Sequence, residues 1–353
     1  MAQMNAAMFY APMDVRFERT EIPKPGPGEL LVKIGAATTC GTDIKTYERG
    51  HPTIIKKTPS TFGHEFSGEV VELGAGVTNF AVGDRVCTCN AVPCGECFYC
   101  KKGHRNLCED LLILNGAYAE YIAIPARMVK TNVYKIPEGM TYAEAAVSEP
   151  LGTAVHAIRR ARIEPGDMVA VLGSGPLGLM LARLAVLRGA RVVLSGEITE
   201  ERKRVAQEFG VLEFVDIRDI TEVAARVEHV RNLSDGKRGV DVAIEAAGFP
   251  SAWEEAMQLI RAAGTVVFHG GCKAGSTVSV DTHSMHYKEH TLIGVYHQDP
   301  DDYKRSVNLL ASRLVDGRKF ITETVPLSQV IKSFERVRRF EGIKFAIDPT
   351  RME

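Results

Sequence analysis

Residues 92–108 read VPCGECFYCKKGHRNLC and hold four of the chain's eight cysteines. Cys94, Cys97, Cys100 and Cys108 follow the spacing C-x2-C-x2-C-x7-C, so four soft sulfurs from one short loop can close a tetrahedron around Zn²⁺. Gly95 and Gly103 help the backbone turn that tightly. With four thiolates a zinc ion has no open position for substrate, so this site is expected to be structural and to supply local folding energy. An iron–sulfur cluster uses similar sulfurs, and buried thiols without a metal are the plain alternative; ligand type and spacing favour zinc. A zinc ribbon that reads nucleic acid needs a basic face, and the chain carries 43 basic against 44 acidic residues. Lys101, Lys102, His104 and Arg105 then read as a solvated loop tip.

A second constellation lies at VAVLGSGPLG. Gly173, Gly175 and Gly178 form G-x-G-x-x-G after an apolar strand and at the start of a helix, with Pro176 and Leu177 between the last two glycines. The first glycine allows the tight turn, the second lets a pyrophosphate approach, and the third lets helix and strand pack. Leu177, Leu181 and Leu184 recur at helical spacing, the context that a bare glycine pattern lacks. The next strand, ARVVLSG, ends at Glu197, where an acid can bind the adenosine ribose hydroxyls of NAD and repel the phosphate of NADP. Glu197 also reads as an exposed acid opening the next helix. Arg202, with Lys203 and Arg204, is positioned to accommodate a phosphate instead.

Three more residues could hold a metal with an open position. Cys40 lies in TTCGTD, His64 in FGHEFSG and Glu149 in AVSEPLG. One Cys, one His and one or two Glu give zinc an asymmetric shell able to admit a substrate oxygen. Each has a bland reading as well: a buried thiol, a turn histidine, a helix-starting acid. Sequence spacing does not bring them together.

The elements that must position these residues divide the 353-residue chain in two. Up to about residue 150, short β-favouring runs such as ELLVKIGAATTC and HEFSGEVVELGAGV alternate with Gly, Pro, Asn and Asp. From there strands and helices alternate as βαβ units, which implies a parallel sheet, until HTLIGVY near 295. SAWEEAMQLIRA reads as a helix within this stretch. The tail, with helical PDDYKRSVNLLASRLVDG and strand IKFAIDP, is too short for its own core and is expected to pack back on the first domain. The net charge of -1 leaves no field that would concentrate polyanions or anionic lipid. No basic-plus-apolar leader and no unbroken apolar span stands out, so a soluble, cytoplasmic chain with reduced thiols, and no nucleic-acid or membrane partner, is expected.

GHEFSGEVVELGAGV fits the pattern G-H-E-x-x-G-x5-G-x2-V. With CGTD, the four-cysteine loop, SEPLG and GSGPLG in order, the chain resembles the zinc-dependent medium-chain alcohol dehydrogenases, and the likeness extends to HYKEHTLIG and KFAIDP. The resemblance implies an α/β architecture: a GroES-like β-rich catalytic domain from residues 1–150 and 296–353, and a doubly wound Rossmann coenzyme domain from 151–295, with the active site in the cleft between them. It implies Cys40 and His64 as ligands of a catalytic zinc, Glu65 as a further ligand or one that exchanges with water, and Glu149 ligating directly or through water. Asp43 would orient His64. Glu149 stands where liver-type alcohol dehydrogenases have a cysteine, so the likeness is to the polyol (sorbitol) and threonine dehydrogenase branch.

The chemistry so implied is hydride transfer between a secondary alcohol and NAD, giving a ketone, with two zinc ions per chain. In the family a hydroxyl at Thr42 takes the alcohol proton first, and a histidine five positions after the cysteine often takes it last. Here that position is Lys45. A sugar alcohol or other vicinal secondary alcohol is the expected substrate, ahead of a simple secondary alcohol and of threonine; a catalytically silent member of the fold is the rival from another class. The family commonly pairs edge strands into dimers and tetramers, and TLIGV is the candidate edge. Cys87 and Cys89 read as buried thiols on one strand face. Cys272, His283 and His286 are given no ligand role.

Overall fold

The run LLVKIGAAT forms strand Leu30–Thr38, buried along nearly its whole length except at Lys33. Both of its flanks are paired, antiparallel, with strands Phe66–Leu73 and Lys344–Asp348. Strand Tyr121–Ile124 also pairs with it, and Arg85–Thr88, Val133–Lys135 and Ile321–Pro326 complete a seven-stranded sheet. A smaller sheet of strands Gln3–Ala11, Asp14–Glu21 and Ser60–Thr61 accompanies it. Their shared core is aromatic and aliphatic: Phe9, Phe62 and Phe334 with Leu30, Ile34 and Ile347, and Tyr118 set edge-on to Phe62.

The computed structural model describes residues 2–352. The β-rich unit comprises Met1–Gly152 and Gln298–Glu353; the second unit is Thr153–His297. The tail enters the first unit through strand Lys344–Asp348, whose register sets Ala346 opposite Thr38 and Ile347 opposite Ala37. Thr39 is held on both its backbone and its side chain, since its N–H donates to the Phe345 carbonyl and its Oγ1 accepts from the Phe345 N–H. The last strand of the chain thereby fixes the backbone that leads into Cys40.

The second unit is a six-stranded parallel sheet in the order Glu213–Asp216, Arg191–Gly196, Met168–Leu172, Val240–Glu245, Ile260–Phe268, Thr291–Gly294. Met168–Leu172 is buried at all five residues, as a strand covered on both faces must be. The order reverses direction beside it, which is where open α/β sheets take their ligands. The helix expected over SAWEEAMQLIRA stops at Leu259, and a strand begins at Ile260. Ala263 in that strand has φ 57, and the pairing with Val240–Glu245 shifts register between Val240 and Val242, so the β-branched run that follows pulls the segment into the sheet. Thr291–Gly294 lies at the sheet's edge within the chain. No helix among the described residues is long and apolar enough to cross a membrane.

Candidate metal centres and dinucleotide site

Cys40 is the N-cap of helix Gly41–Arg49, and its Sγ accepts from the Thr42 N–H at 3.4 Å. A sulfur there meets the helix's free N–H groups and the positive end of its dipole. Asp43, in the first turn, is buried and stands 2.8 Å through Oδ1 from Nδ1 of His64. Its other oxygen accepts from Tyr118 Oη at 2.7 Å. His64 follows Gly63, which has φ 91 and leaves no room for a side chain, since a Cβ would stand 2.7 Å from the Tyr118 ring. With Nδ1 engaged by Asp43, Nε2 is the nitrogen left to bind. Burial opposes a charge on His64, but Asp43 and Cys40 outweigh it and hold its pKa well above the usual value.

Glu65 is wholly buried, and its Oε2 is clamped twice. Lys344 Nζ lies 2.5 Å away, and the Thr38 hydroxyl also donates to it. Lys344 is buried too and donates to the Thr39 carbonyl at 2.5 Å. Burial works against its charge, yet Glu65 and Cys40 keep its pKa raised. The other oxygen, Glu65 Oε1, is buried with no hydrogen-bond partner among the described residues. Cys40, His64 and Glu65 each bring a donor atom within 4.8 Å of the others. A thiolate, an imidazole nitrogen and a carboxylate oxygen at that separation fit Zn²⁺.

Glu149 lies in the first turn of helix Ser148–Ala161 and is also buried. Its carboxylate is outside the group of three, where Gln298 Nε2 donates to Oε1 at 2.9 Å and to the Glu149 carbonyl at 3.0 Å. Burial pushes its pKa up to about 7; Glu65 and Asp43 add to the rise, and His64 and Lys344 oppose it. It therefore shares the electrostatic neighbourhood of the three. Thr42 and Lys45 are half-buried on the helix that Cys40 caps, one turn apart and on one face. His51 feels the charges of Arg49, His64 and Lys45; burial first, then those neighbours, lowers its pKa, and its Nδ1 is a buried atom without a hydrogen-bond partner among the described residues.

The four clustered cysteines also converge. Cys94 and Cys100 sulfurs are 4.0 Å apart and those of Cys97 and Cys108 are 3.8 Å apart. A tetrahedron with metal–sulfur arms of about 2.3 Å has sulfur–sulfur edges of about 3.8 Å. The loop aims backbone N–H groups at the sulfurs, from Glu96 and Cys97 to Cys94 and from Cys94 to Cys108. Such donors stabilise thiolates, and those of Cys100 and Glu109 bring Cys97 down to about 7. All eight cysteines are free of disulfides, and Cys87 and Cys89 are buried.

In the parallel-sheet unit, Gly173 turns with φ 118, and a Cβ on Gly178 would lie 1.7 Å from the Gly173 carbonyl oxygen. Gly175 caps helix Pro176–Leu187, with nothing within 4 Å of where its Cβ would be. The turn leaves an open approach to the helix N-terminus, which suits a pyrophosphate. Pro176 and Leu177 open that helix. Ser174 Oγ donates to the Glu197 carbonyl at 2.6 Å, tying the glycine turn to the end of the second strand. Arg202 is buried, with Nη1 3.4 Å from Ser174 Oγ. Burial lowers its pKa while Glu197 and Glu201 raise it.

Lys344, Thr38, Tyr118 and Gln298 join the site without being marked by any motif. Lys344 alone carries a signal in the sequence: a lone cation opens KFAI, an otherwise apolar strand, and a buried cation needs an anion. Tyr118, Thr38 and Gln298 carry no such mark.

A metal-binding β-rich unit joined in one chain to a dinucleotide-type parallel sheet is the equipment of a metal-dependent dehydrogenase. The family model for the alcohol dehydrogenase GroES-like domain matches residues 26–138, and that for the zinc-binding dehydrogenase matches residues 176–312. The chain is 30% identical to sorbitol dehydrogenase of Bacillus subtilis (strain 168), over 99% of its own length and 98% of that protein's. It is 34% identical to sorbitol dehydrogenase of Halalkalibacterium halodurans, covering 94% and 96%. Among solved structures, a zinc-binding dehydrogenase from Sinorhizobium meliloti 1021 bound to NADP superposes with a TM-score of 0.88 at 29% identity, covering 99% of this chain and 100% of that one. The chain belongs to the zinc-dependent medium-chain alcohol dehydrogenases, in their polyol dehydrogenase branch. Zinc, a nicotinamide cofactor and a small alcohol substrate come with that membership.

Proposed function

We propose that this chain interconverts a sugar alcohol, or another vicinal secondary alcohol, and its ketone with NAD, using a catalytic zinc at Cys40, His64 and Glu65 with Glu149 at hand, and a second, structural zinc at the four clustered cysteines. The observation that carries this reading is the approach of Cys40, His64 and Glu65 donors to within 4.8 Å of one another, from three places that each look ordinary in the sequence. Zinc bound there would act as a Lewis acid toward the substrate oxygen, and NAD would accept the hydride. Asp43 engages Nδ1 of His64, which leaves Nε2 as the nitrogen for the metal. Thr42 would take the alcohol proton as it gives up its own, and the relay ends at Lys45, one turn on along the same helix face, or at water. Likeness to two sorbitol dehydrogenases supports the polyol class.

For the cofactor, Glu197 at the end of its strand takes the ribose hydroxyls. Buried Arg202 braces Ser174 beneath the turn, which leaves it poorly placed for a phosphate and favours NAD. The edge strand Thr291–Gly294 is the surface through which copies would pair into a homo-oligomer, and eight unbridged thiols suit a reducing cytoplasm. The test is a panel of polyols, simple secondary alcohols and threonine with NAD, followed by the absorbance of the reduced nicotinamide. The highest kcat/KM should fall on a polyol; a highest value on threonine or on a simple alcohol would overturn the substrate assignment.

A further inference from the structure

Arg105 departs from the solvated tip expected of its loop. It lies between the last two cysteines of the cluster, in the short turn Arg105–Leu107, and its guanidinium reaches the start of helix Pro300–Ala311. Nη2 stands 2.5 Å from Asp301 Oδ2, and Nε stands 3.6 Å from Asp299 Oδ1. The two contacts differ in weight. Asp301 is 63% exposed, so water screens that pair. Asp299 is 6% exposed, and removing a cation from a buried carboxylate is costly. Asp299 is also the N-cap of the helix, and its N–H donates to Asp302 Oδ2 at 3.2 Å.

The same helix end grips the start of helix Ser148–Ala161. Gln298, one residue before the cap, donates through Nε2 to the Glu149 carbonyl and to Glu149 Oε1. It fills space that Gly152 leaves, since a Cβ there would stand 1.6 Å from Gln298 Oε1. Tyr303 Oη lies 2.9 Å from Ser148 Oγ, and Ser306 Oγ donates to the Ser148 carbonyl at 2.7 Å. Arg105, Asp299, Gln298 and Glu149 therefore form a continuous line of contacts and chain neighbours, the last three buried, of the kind that carries mechanical coupling. Four thiolates around a metal leave the cluster no chemistry of its own, but closing the loop limits where Arg105 can reach. We propose that Arg105 is a positioning residue through which the closed four-cysteine loop sets the N-terminal end of helix Pro300–Ala311, and with it the Gln298 amide that holds Glu149. This rests on the reading that puts Glu149 at hand for the catalytic zinc.

The test compares the holoenzymes of wild type, Arg105→Gln, Gln298→Met and the double variant by amide hydrogen exchange and by kcat/KM on the best polyol of the panel. Arg105→Gln changes no metal ligand and should keep the wild-type zinc content. Exchange over residues 148–152, joined to Arg105 only through the helix end, should quicken at least about threefold. kcat/KM should fall at least about fivefold, the scale of coupling between interacting residues. In the Gln298→Met background the same change should cost less than about twofold, because the contact it acts through is gone. Wild-type exchange or a wild-type kcat/KM in Arg105→Gln, or losses that simply multiply with those of Gln298→Met, overturn the proposal. If Arg105→Gln does not fold, Asp299→Asn decides by the same exchange measurement. Asparagine still caps the helix but removes the buried charge that the guanidinium meets, and unchanged exchange over residues 148–152 overturns the proposal. Should Gln298→Met keep a wild-type kcat/KM, the place of Glu149 in the reaction fails and exchange alone judges Arg105; a deficient Gln298→Met beside a normal Arg105→Gln sinks only the role of Arg105.

Discussion

Asp43 Oδ1 stands 2.8 Å from Nδ1 of His64, with both side chains buried and Tyr118 bonded to the other carboxylate oxygen. The contact fixes which imidazole nitrogen carries the proton and raises the basicity of the one that binds. Asp43→Asn keeps the shape, but its amide can either donate or accept, so the tautomer is no longer set. Zinc affinity or kcat/KM should fall by about 10- to 100-fold with the fold retained; zinc titration and steady-state kinetics read this directly.

The four-cysteine loop should behave in the opposite way. Cys97→Ala removes one corner of a tetrahedron whose sulfurs already stand 3.8 to 4.0 Å apart in pairs. One zinc per chain should be lost and Tm should drop by several degrees, while the catalytic zinc of the molecules that remain folded is untouched. Metal analysis alongside thermal unfolding checks this, and an unchanged Tm would mean that the loop is held by something other than metal.

Cofactor choice is assigned to charge at Glu197. Glu197→Lys replaces the repulsion of a 2′-phosphate with attraction, and the ratio of kcat/KM for NADP to that for NAD should rise at least about tenfold, equivalent to ~1.4 kcal/mol. Paired kinetics with the two cofactors measures it.

Glu245, at the end of strand Val240–Glu245, is fully buried and accepts from the Ala247 and Gly248 N–H groups at 2.7 and 2.6 Å. Burial nevertheless dominates and pushes its pKa up to about 7 from an ordinary 4.5. The folded chain then binds this proton more tightly than the unfolded chain does. Its contribution is fully present below the unfolded value and is lost as pH rises through the folded one, by about 1.4 kcal/mol per pH unit between them. Glu245→Gln cannot ionise, so Tm of wild type should fall relative to the variant between pH 5 and 7. Parallel curves would contradict this.

The two-part architecture was legible because its signals are local: period-two runs in one half, strand–glycine–helix alternation in the other, and four cysteines in one loop. The helix end at Leu259 was not, because packing in the sheet draws Ile260 and its successors into a strand against a helical pattern. Residue type offered Cys40, His64 and Glu149 as possible ligands, but only motif resemblance joined them with Glu65 in one site, since spacing does not encode the contacts that bring Cys40, His64 and Glu65 within 4.8 Å of one another; Glu149 stays outside that group. Lys344 lies 279 positions beyond its partner Glu65 in the sequence, and only the antiparallel register of Lys344–Asp348 against Leu30–Thr38 brings the two together.

The proposed site of chemistry is Cys40 with its scattered neighbours and not the cysteine cluster. It is tested most directly by measuring zinc per chain and polyol oxidation by NAD in wild type and in Cys40→Ser. Wild type should hold two zinc ions and turn over, and Cys40→Ser should hold one zinc ion with an unchanged Tm and no turnover. Full turnover by Cys40→Ser, or a wild-type zinc content in it, would place the chemistry elsewhere.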